Sequence, residues 1–180
     1  MVDERVEVLF PGAEVDARVG ELAREIKDRV PADVTVVGLL KGSFMFMADL
    51  IRAMDDEGMT PKVEFLQVSS YGLETTSSGR VKVIGDLPGS VGGRPVLLVD
   101  DIQDTGRTLK FTRDLLVENG ADPVWTCALL DKPERRAVEI EADFVGFVIP
   151  DVFVVGYGID YAENFRHLPF IGRLAPEGEV

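Results

Sequence analysis

Three carboxylates, Asp100, Asp101 and Asp104, close the apolar run Val96-Leu97-Leu98-Val99 and stand directly before the turn Thr105-Gly106-Arg107-Thr108. Free amides at the start of a helix, threonine hydroxyls and a glycine that lets the backbone come close make a cradle for a phosphate. Adjacent carboxylates in an extended stretch point to opposite sides, so Asp100 and Asp101 can serve two separate hydroxyls of a sugar. Asp104, at the lip of the cradle, stands where a proton could be moved. One such aspartate alone would read as a helix cap. Three of them, followed by the glycine-threonine turn, read as a sugar-phosphate site.

The elements that must position these groups follow from periodicity. Residues 14–29 form an amphipathic helix with Val15, Val19, Leu22, Ala23 and Ile26 on one face. Residues 34–40 are a continuous β-branched run, expected of a strand buried on both faces. A helix over 43–57, capped by Ser43, and a strand over 63–71 come next. The polar, glycine-flanked stretch 72–79 reads as a mobile loop, and 81–84 as a short strand leaving it. Residues 95–99 are a further strand, 105–119 a helix closed by Gly120, and 124–130 and 144–149 the last apolar strands. Strands alternating with helices give an α/β fold, a parallel sheet with helices on both faces. Ligands then bind beyond the carboxyl ends of the strands. Residues 151–180, irregular and aromatic-rich, pack as an appendage over that edge.

The 180 residues are 46% apolar, with 19 basic and 32 acidic side chains and a net charge of −13. The length suits one domain spanning 1–180, and the apolar content excludes disorder. The longest charge-free run, 65–73, is far short of the ~20 residues a membrane span needs. The N-terminal stretch lacks the basic and apolar regions of a signal peptide, and the single cysteine, Cys127, reads as a buried, inert thiol, so the expected location is cytoplasmic. The negative charge argues against nucleic acid and anionic membrane as partners. An anionic substrate must be caught by local groups.

Residues 96–108 resemble the phosphoribosyl pyrophosphate signature of type I phosphoribosyltransferases. Further pieces resemble the bacterial hypoxanthine (hypoxanthine-guanine) phosphoribosyltransferases: Gly38-Leu39-Leu40-Lys41-Gly42-Ser43, Ser69-Ser70-Tyr71-Gly72, Leu129-Leu130-Asp131-Lys132-Pro133-Glu134-Arg135-Arg136, Phe153-Val154-Val155-Gly156-Tyr157-Gly158-Ile159-Asp160-Tyr161 and Asn164-Phe165-Arg166-His167-Leu168-Pro169-Phe170-Ile171-Gly172. They run in order from Val8 nearly to Leu174. The resemblance implies the type I phosphoribosyltransferase fold, with a hood formed mainly by 151–180. It implies purine salvage: transfer of a phosphoribosyl group from phosphoribosyl pyrophosphate to a 6-oxopurine base, with Mg2+ (magnesium) as cofactor. A homodimer or homotetramer is implied as well.

The same resemblance assigns roles. Lys41, Gly42 and Arg166 would bind pyrophosphate, the glycine allowing a strained or cis backbone to approach oxyanions. Asp100 and Asp101 would hold the ribose hydroxyls and, through them, the metal, with Asp160 as a further metal ligand. Thr105, Gly106, Arg107 and Thr108 would hold the 5′-phosphate, and Asp104 would be the acid/base at purine N7. Lys132 would donate to the 6-oxo group, Phe153 would stack on the ring, and Val154 would offer main-chain groups to its edge. Ser70 and Tyr71 would ride on the mobile loop. By composition alone Lys132 would be a solvated lysine, and Phe153, like Trp125, a core aromatic. His167 matches no catalytic position and reads as structural or exposed. Gln103 stands where the family more usually has an aliphatic residue. Two rival readings are a xanthine-preferring enzyme of the same superfamily and a non-catalytic nucleotide-sensing regulator.

Overall fold

Val36, Val37, Leu97, Leu98 and Val99 have no polar face to offer water, and the strands that carry them lie in the middle of the sheet, fully buried. The structure, a computed structural model, describes residues 6–70, 81–87, 89 and 91–175. Its elements are β1 (Val6–Phe10), α1 (Gly12–Lys27), β2 (Thr35–Leu40), α2 (Phe44–Asp56), β3 (Lys62–Ser70), β4 (Val81–Ile84), β5 (Val96–Gln103), α3 (Arg107–Glu118), β6 (Val124–Asp131), a 3-10 turn (Pro133–Arg135), β7 (Phe144–Val148), β8 (Val154–Val155) and β9 (Ile171–Leu174).

The main sheet runs β4-β3-β2-β5-β6-β7. All of its pairs are parallel except β3–β4, which adds one antiparallel strand at the edge. Alternate residues of each strand go to opposite faces. Val36, Leu97, Val99, Cys127 and Leu129 meet α1 and α2 on one face. Val37, Leu39, Val96 and Leu98 meet Leu109 and Leu116 of α3 on the other. Each such side chain contributes roughly 1.5–3 kcal/mol by leaving water, so both layers are firmly seated. The apolar stripe expected of the first helix is the one α1 buries: Val15, Val19, Leu22, Ala23 and Ile26.

Strand β9 is the centre of a second, three-stranded antiparallel sheet in the order β1-β9-β8. This small sheet is fastened in two places. Phe10 stacks on Phe147 of β7 at 4.1 Å between ring centroids. The Tyr157 hydroxyl donates to Asp49 of α2.

Several elements differ from the sequence expectation. The strand expected over 95–99 runs on to Gln103, which places Asp100 and Asp101 inside β5. Helix α3 begins at Arg107 rather than 105, with Gly106 as its N-cap at φ +79°. Ser43 does not cap α2 with its side chain; its hydroxyl is buried and donates back to the Leu39 carbonyl at 2.5 Å. Residues 151–175 are not wholly irregular, because β8 and β9 lie there, and β1 was not anticipated. Tyr71 and the stretch 72–79 lie outside the described residues, and Ser70 closes β3.

Candidate active site

From β2 the chain crosses through α2 to β3 on one side, and from β5 it crosses through α3 to β6 on the other. The order therefore reverses between β2 and β5, and a parallel sheet opens a crevice beyond the strand ends at such a point. A cavity of about 420 Å3 occupies it, lined by Leu40, Lys41 and Gly42 after β2, Asp100 and Asp101 of β5, and residues 104–108.

Backbone proximity sets the floor of this cavity. A Cβ on Gly42 would lie 2.0 Å from Asp101 Oδ2, so a side chain there would displace the carboxylate on which the turn after β2 sits. Gly158, at φ +97°, comes as close from above: a Cβ there would lie 2.4 Å from the Gly42 carbonyl oxygen. The Leu40–Lys41 peptide is cis. Asp100 is buried and Asp101 half-buried. Burial, followed by the charge of its neighbour, holds the Asp100 carboxyl well above the ordinary carboxylate range. Burial also raises Asp101, against the opposing influence of hydrogen bonds and Arg166. Two buried carboxylates side by side create a demand for a cation or hydroxyl donors.

The turn beyond them is braced from below. Arg136 is largely buried and bridges three acceptors: the Asp131 carboxylate and the carbonyls of Gln103 and Asp104. Gln103 is 1% exposed and fully engaged, its Nε2 donating to the Ile140 carbonyl at 3.0 Å and its Oε1 accepting the Ala142 amide at 3.2 Å. The Ala137 amide donates to the Thr105 carbonyl at 3.0 Å. The Thr105 hydroxyl accepts the Arg107 amide at 3.4 Å, while Arg107 itself points to solvent. A Cβ on Gly106 would meet Ile140 Cγ2 at 2.8 Å, so the turn packs tightly on the same segment. Arg136 belongs to the piece 129–136 singled out in the sequence but has no role assigned there, although its carboxylate partner Asp131 stands only five residues away. The use of Gln103 carries no local signal, because its partners are brought in by the fold.

Asp104 is not a helix cap. Its Oδ1 accepts from Arg135 Nε at 2.9 Å, and Arg135 reaches Asp151 at 3.4 Å. Asp151 in turn lies 3.8 Å from the Lys132 ammonium, which is buried at 7% exposure rather than solvated. Phe153, by contrast, is 52% exposed and meets Tyr161 edge-on, with ring centroids 5.3 Å apart. It is not a core residue. The Leu174 amide donates to the Phe153 carbonyl at 2.9 Å, so the next antiparallel pair, Val154 with Arg173, is non-hydrogen-bonded. That alternation turns the Val154 amide and carbonyl toward the open edge of β8.

Arg166 donates to the Gly158 carbonyl at 2.9 Å and lies 2.7 Å from Asp160 Oδ1. Among the described residues its Nε is buried without a partner. Lys41 pairs with Glu163 at 3.2 Å, and that ammonium holds the Glu163 carboxyl below its ordinary range. His167 is exposed, Trp125 packs against the core, and burial pushes the Cys127 thiol up, which makes it inert. Among the described residues no helix is long and apolar enough to cross a membrane.

The donor set bears on metal binding. No group of three or more His, Cys, Asp or Glu among the described residues could enclose an ion. Asp100 and Asp101 instead supply hard oxygens on the cavity wall, and Asp160 offers a further carboxylate beside Arg166. This suits a divalent cation that keeps several waters and takes most of its ligands from a phosphorylated substrate. The residues fit such an ion.

A reversed-order crevice carrying paired carboxylates and a glycine-threonine phosphate turn, beneath a small antiparallel sheet, defines a type I phosphoribosyltransferase fold. Residues 9–162 match the phosphoribosyl transferase domain family. The hypoxanthine phosphoribosyltransferase of Escherichia coli is 47% identical over 172 residues, covering 94% of this chain and 95% of the relative. The hypoxanthine-guanine enzyme of Dictyostelium discoideum is 43% identical over 173 residues, covering 95% and 96%. The structure of the Trypanosoma cruzi hypoxanthine phosphoribosyltransferase with its product IMP superposes with a TM-score of 0.89 at 40% identity, covering 99% of each chain. The chain belongs to the hypoxanthine phosphoribosyltransferase family.

The brace beneath the turn yields a stability test. Arg136→Met removes the donor of the Asp131 carboxylate and of the Asp104 carbonyl, while the Gln103 carbonyl keeps the Lys132 amide, and is expected to cost about 2–3 kcal/mol in urea unfolding. Arg136→Lys is expected to recover less than half of the loss, since an ammonium cannot span the three acceptors as a planar fork does. A loss below about 0.5 kcal/mol for the methionine variant would show that the turn stands without its brace.

Proposed function

We propose that the protein catalyses purine salvage by transferring the 5-phosphoribosyl group of phosphoribosyl pyrophosphate to N9 of hypoxanthine, and of guanine, giving IMP or GMP and pyrophosphate. The observation that carries this reading is the meeting of Lys41-Gly42, Asp100-Asp101 and the 104–108 turn around one cavity at the β2/β5 crevice.

In the proposed arrangement Asp100 and Asp101 accept from the ribose hydroxyls. The main chain and hydroxyls of Thr105, Gly106, Arg107 and Thr108 hold the 5′-phosphate. Lys41, the Gly42 main chain and Arg166 hold the pyrophosphoryl group. Magnesium is the divalent cation best suited to these hard oxygens, with Asp160, Asp100 and Asp101 as the candidate carboxylates. When bound it supplies neutralisation of charge on the pyrophosphate oxygens. Arg166 adds to that neutralisation as charge builds, and an interaction that strengthens toward the transition state is what accelerates a reaction.

The C1′–O bond breaks with its electron pair leaving on pyrophosphate. The N9 lone pair forms the C1′–N9 bond, and the proton displaced from the purine passes from N7 to Asp104. Lys132 donates to the 6-oxo oxygen, and its burial makes that contact selective, because a buried donor left unpaired by the 6-amino group of adenine is costly. Phe153, exposed on the small sheet that serves as the hood, stacks on the ring, and the Val154 main chain meets its edge. Ser70 and Tyr71 are proposed to close over the site and exclude water, which would otherwise capture the electron-poor sugar.

A cytoplasmic homodimer or homotetramer is proposed for the working state. Val63, Phe65 and Ile84 support an assembled form, being exposed apolar side chains along the β3–β4 edge of the sheet.

Two experiments test this reading. Initial velocities with hypoxanthine, guanine, xanthine and adenine, each with phosphoribosyl pyrophosphate and with or without magnesium, are expected to show magnesium-dependent turnover of the first two and none of adenine. Xanthine as the best substrate would overturn the base assignment, and no turnover of any base by folded protein would overturn the reaction. Asp104→Asn is expected to lower kcat by ~10²–10⁴-fold with little change in IMP affinity. Turnover within threefold of the parent would remove Asp104 from proton transfer.

A further inference from the structure

The two cations assigned to pyrophosphate already share a carboxylate. Lys41 Nζ lies 3.2 Å from both Oε1 and Oε2 of Glu163, and Arg166 Nη2 lies 3.5 Å from the same Oε2. Lys41 and Glu163 are 122 positions apart, so the contact is set by the fold and not by neighbouring turns of one helix. Glu163 is brought there by an unusual backbone: it adopts φ +63°, in a segment where Ala162 has φ +49° and Phe165 φ +74°. Non-glycine residues enter that region only at a cost of about 1 kcal/mol or more each. The turn is pinned by the Glu163 amide, which donates to Asp160 Oδ2 at 2.8 Å. A strained turn between β8 and β9 thus delivers one carboxylate to the Lys41 ammonium and to the rim of the Arg166 guanidinium, whose nearer carboxylate is Asp160 at 2.7 Å. Carboxylate and phosphate oxygens offer those donors the same geometry.

We propose that Glu163 is a resident stand-in for the pyrophosphoryl group: it holds Lys41 and Arg166 until phosphoribosyl pyrophosphate displaces it, and takes them back as pyrophosphate departs. This rests on the reading of Lys41 and Arg166 as pyrophosphate ligands. The strength of the pairing suits the task. Glu163 is 69% and Lys41 55% exposed, and ion pairs that open to water are weak and readily exchanged. Such a pair keeps the cations in place yet reduces the apparent affinity of a competing anion only by the fraction of time the cations are engaged. Glu163 is then a residue that sets the pyrophosphate dissociation constant without touching pyrophosphate.

The test is calorimetric titration of inorganic pyrophosphate into the parent, Glu163→Gln, Lys41→Ala and the double variant, with IMP titrated as a control for the 5′-phosphate turn. Glu163→Gln is expected to bind pyrophosphate about two- to fivefold more tightly, with IMP unchanged. Lys41→Ala is expected to bind pyrophosphate more weakly and to shrink the gain from Glu163→Gln in the double variant. Unchanged or weaker pyrophosphate binding by Glu163→Gln, alongside a weakened Lys41→Ala, overturns the stand-in role and leaves the cation assignment intact. A gain that persists in full in the Lys41→Ala background also overturns it, reducing the effect to net charge. Pyrophosphate binding unaffected by Lys41→Ala overturns the cation assignment and the stand-in role with it.

Discussion

A Cβ on Gly42 would stand 2.0 Å from an oxygen of Asp101, so the turn after β2 rests on that carboxylate in a place a side chain could take only by displacing it. A second glycine, Gly158, closes on the Gly42 carbonyl from the side of the small sheet. Three distant pieces of chain are thereby packed against one another. Burial makes the charge of the two carboxylates at that junction costly, Asp100 more than Asp101. The crevice itself comes from topology, and the glycines make it tight.

A chain with net charge −13 that handles phosphates must place its cations deliberately. At this site each relevant basic side chain already has an acidic partner: Arg136 with Asp131, Arg135 with Asp104, Lys132 near Asp151, Arg166 with Asp160, and Lys41 with Glu163. Arg136 is the most enclosed of the arginines in these pairs, and it ties the Gln103 and Asp104 carbonyls before the 105–108 turn to Asp131. The pairs at Lys41 and Arg135 are open to water, where an ion pair is weak. Binding at such a site is an exchange of partners, and the protein's acidity sets how readily the exchange runs.

The parts of this architecture that depend on neighbours in sequence were legible from the residues alone. The buried stripe of α1, the β-branched run of β2 and the turn at 105–108 each follow from local pattern. Strands β1, β8 and β9 escaped because they are short and take their meaning from one another, with β1 and β9 pairing from opposite ends of the chain. Gln103 and Glu163 escaped for a related reason: their partners lie far along the chain or on main-chain atoms. Lys132 and Phe153 show how composition misleads at a site. The lysine is buried and the aromatic exposed, the reverse of what each residue type does on average.

In the proposed function the Asp100–Asp101 pair holds the ribose hydroxyls. Equilibrium binding of IMP and of its 2′-deoxy analogue to the same preparation tests it most directly, since the two ligands differ by one hydroxyl and share every contact with the phosphate turn and the base. Loss of that hydroxyl leaves a carboxylate of the pair without its donor, and binding is expected to weaken by about tenfold or more. Dissociation constants within twofold of each other would contradict it.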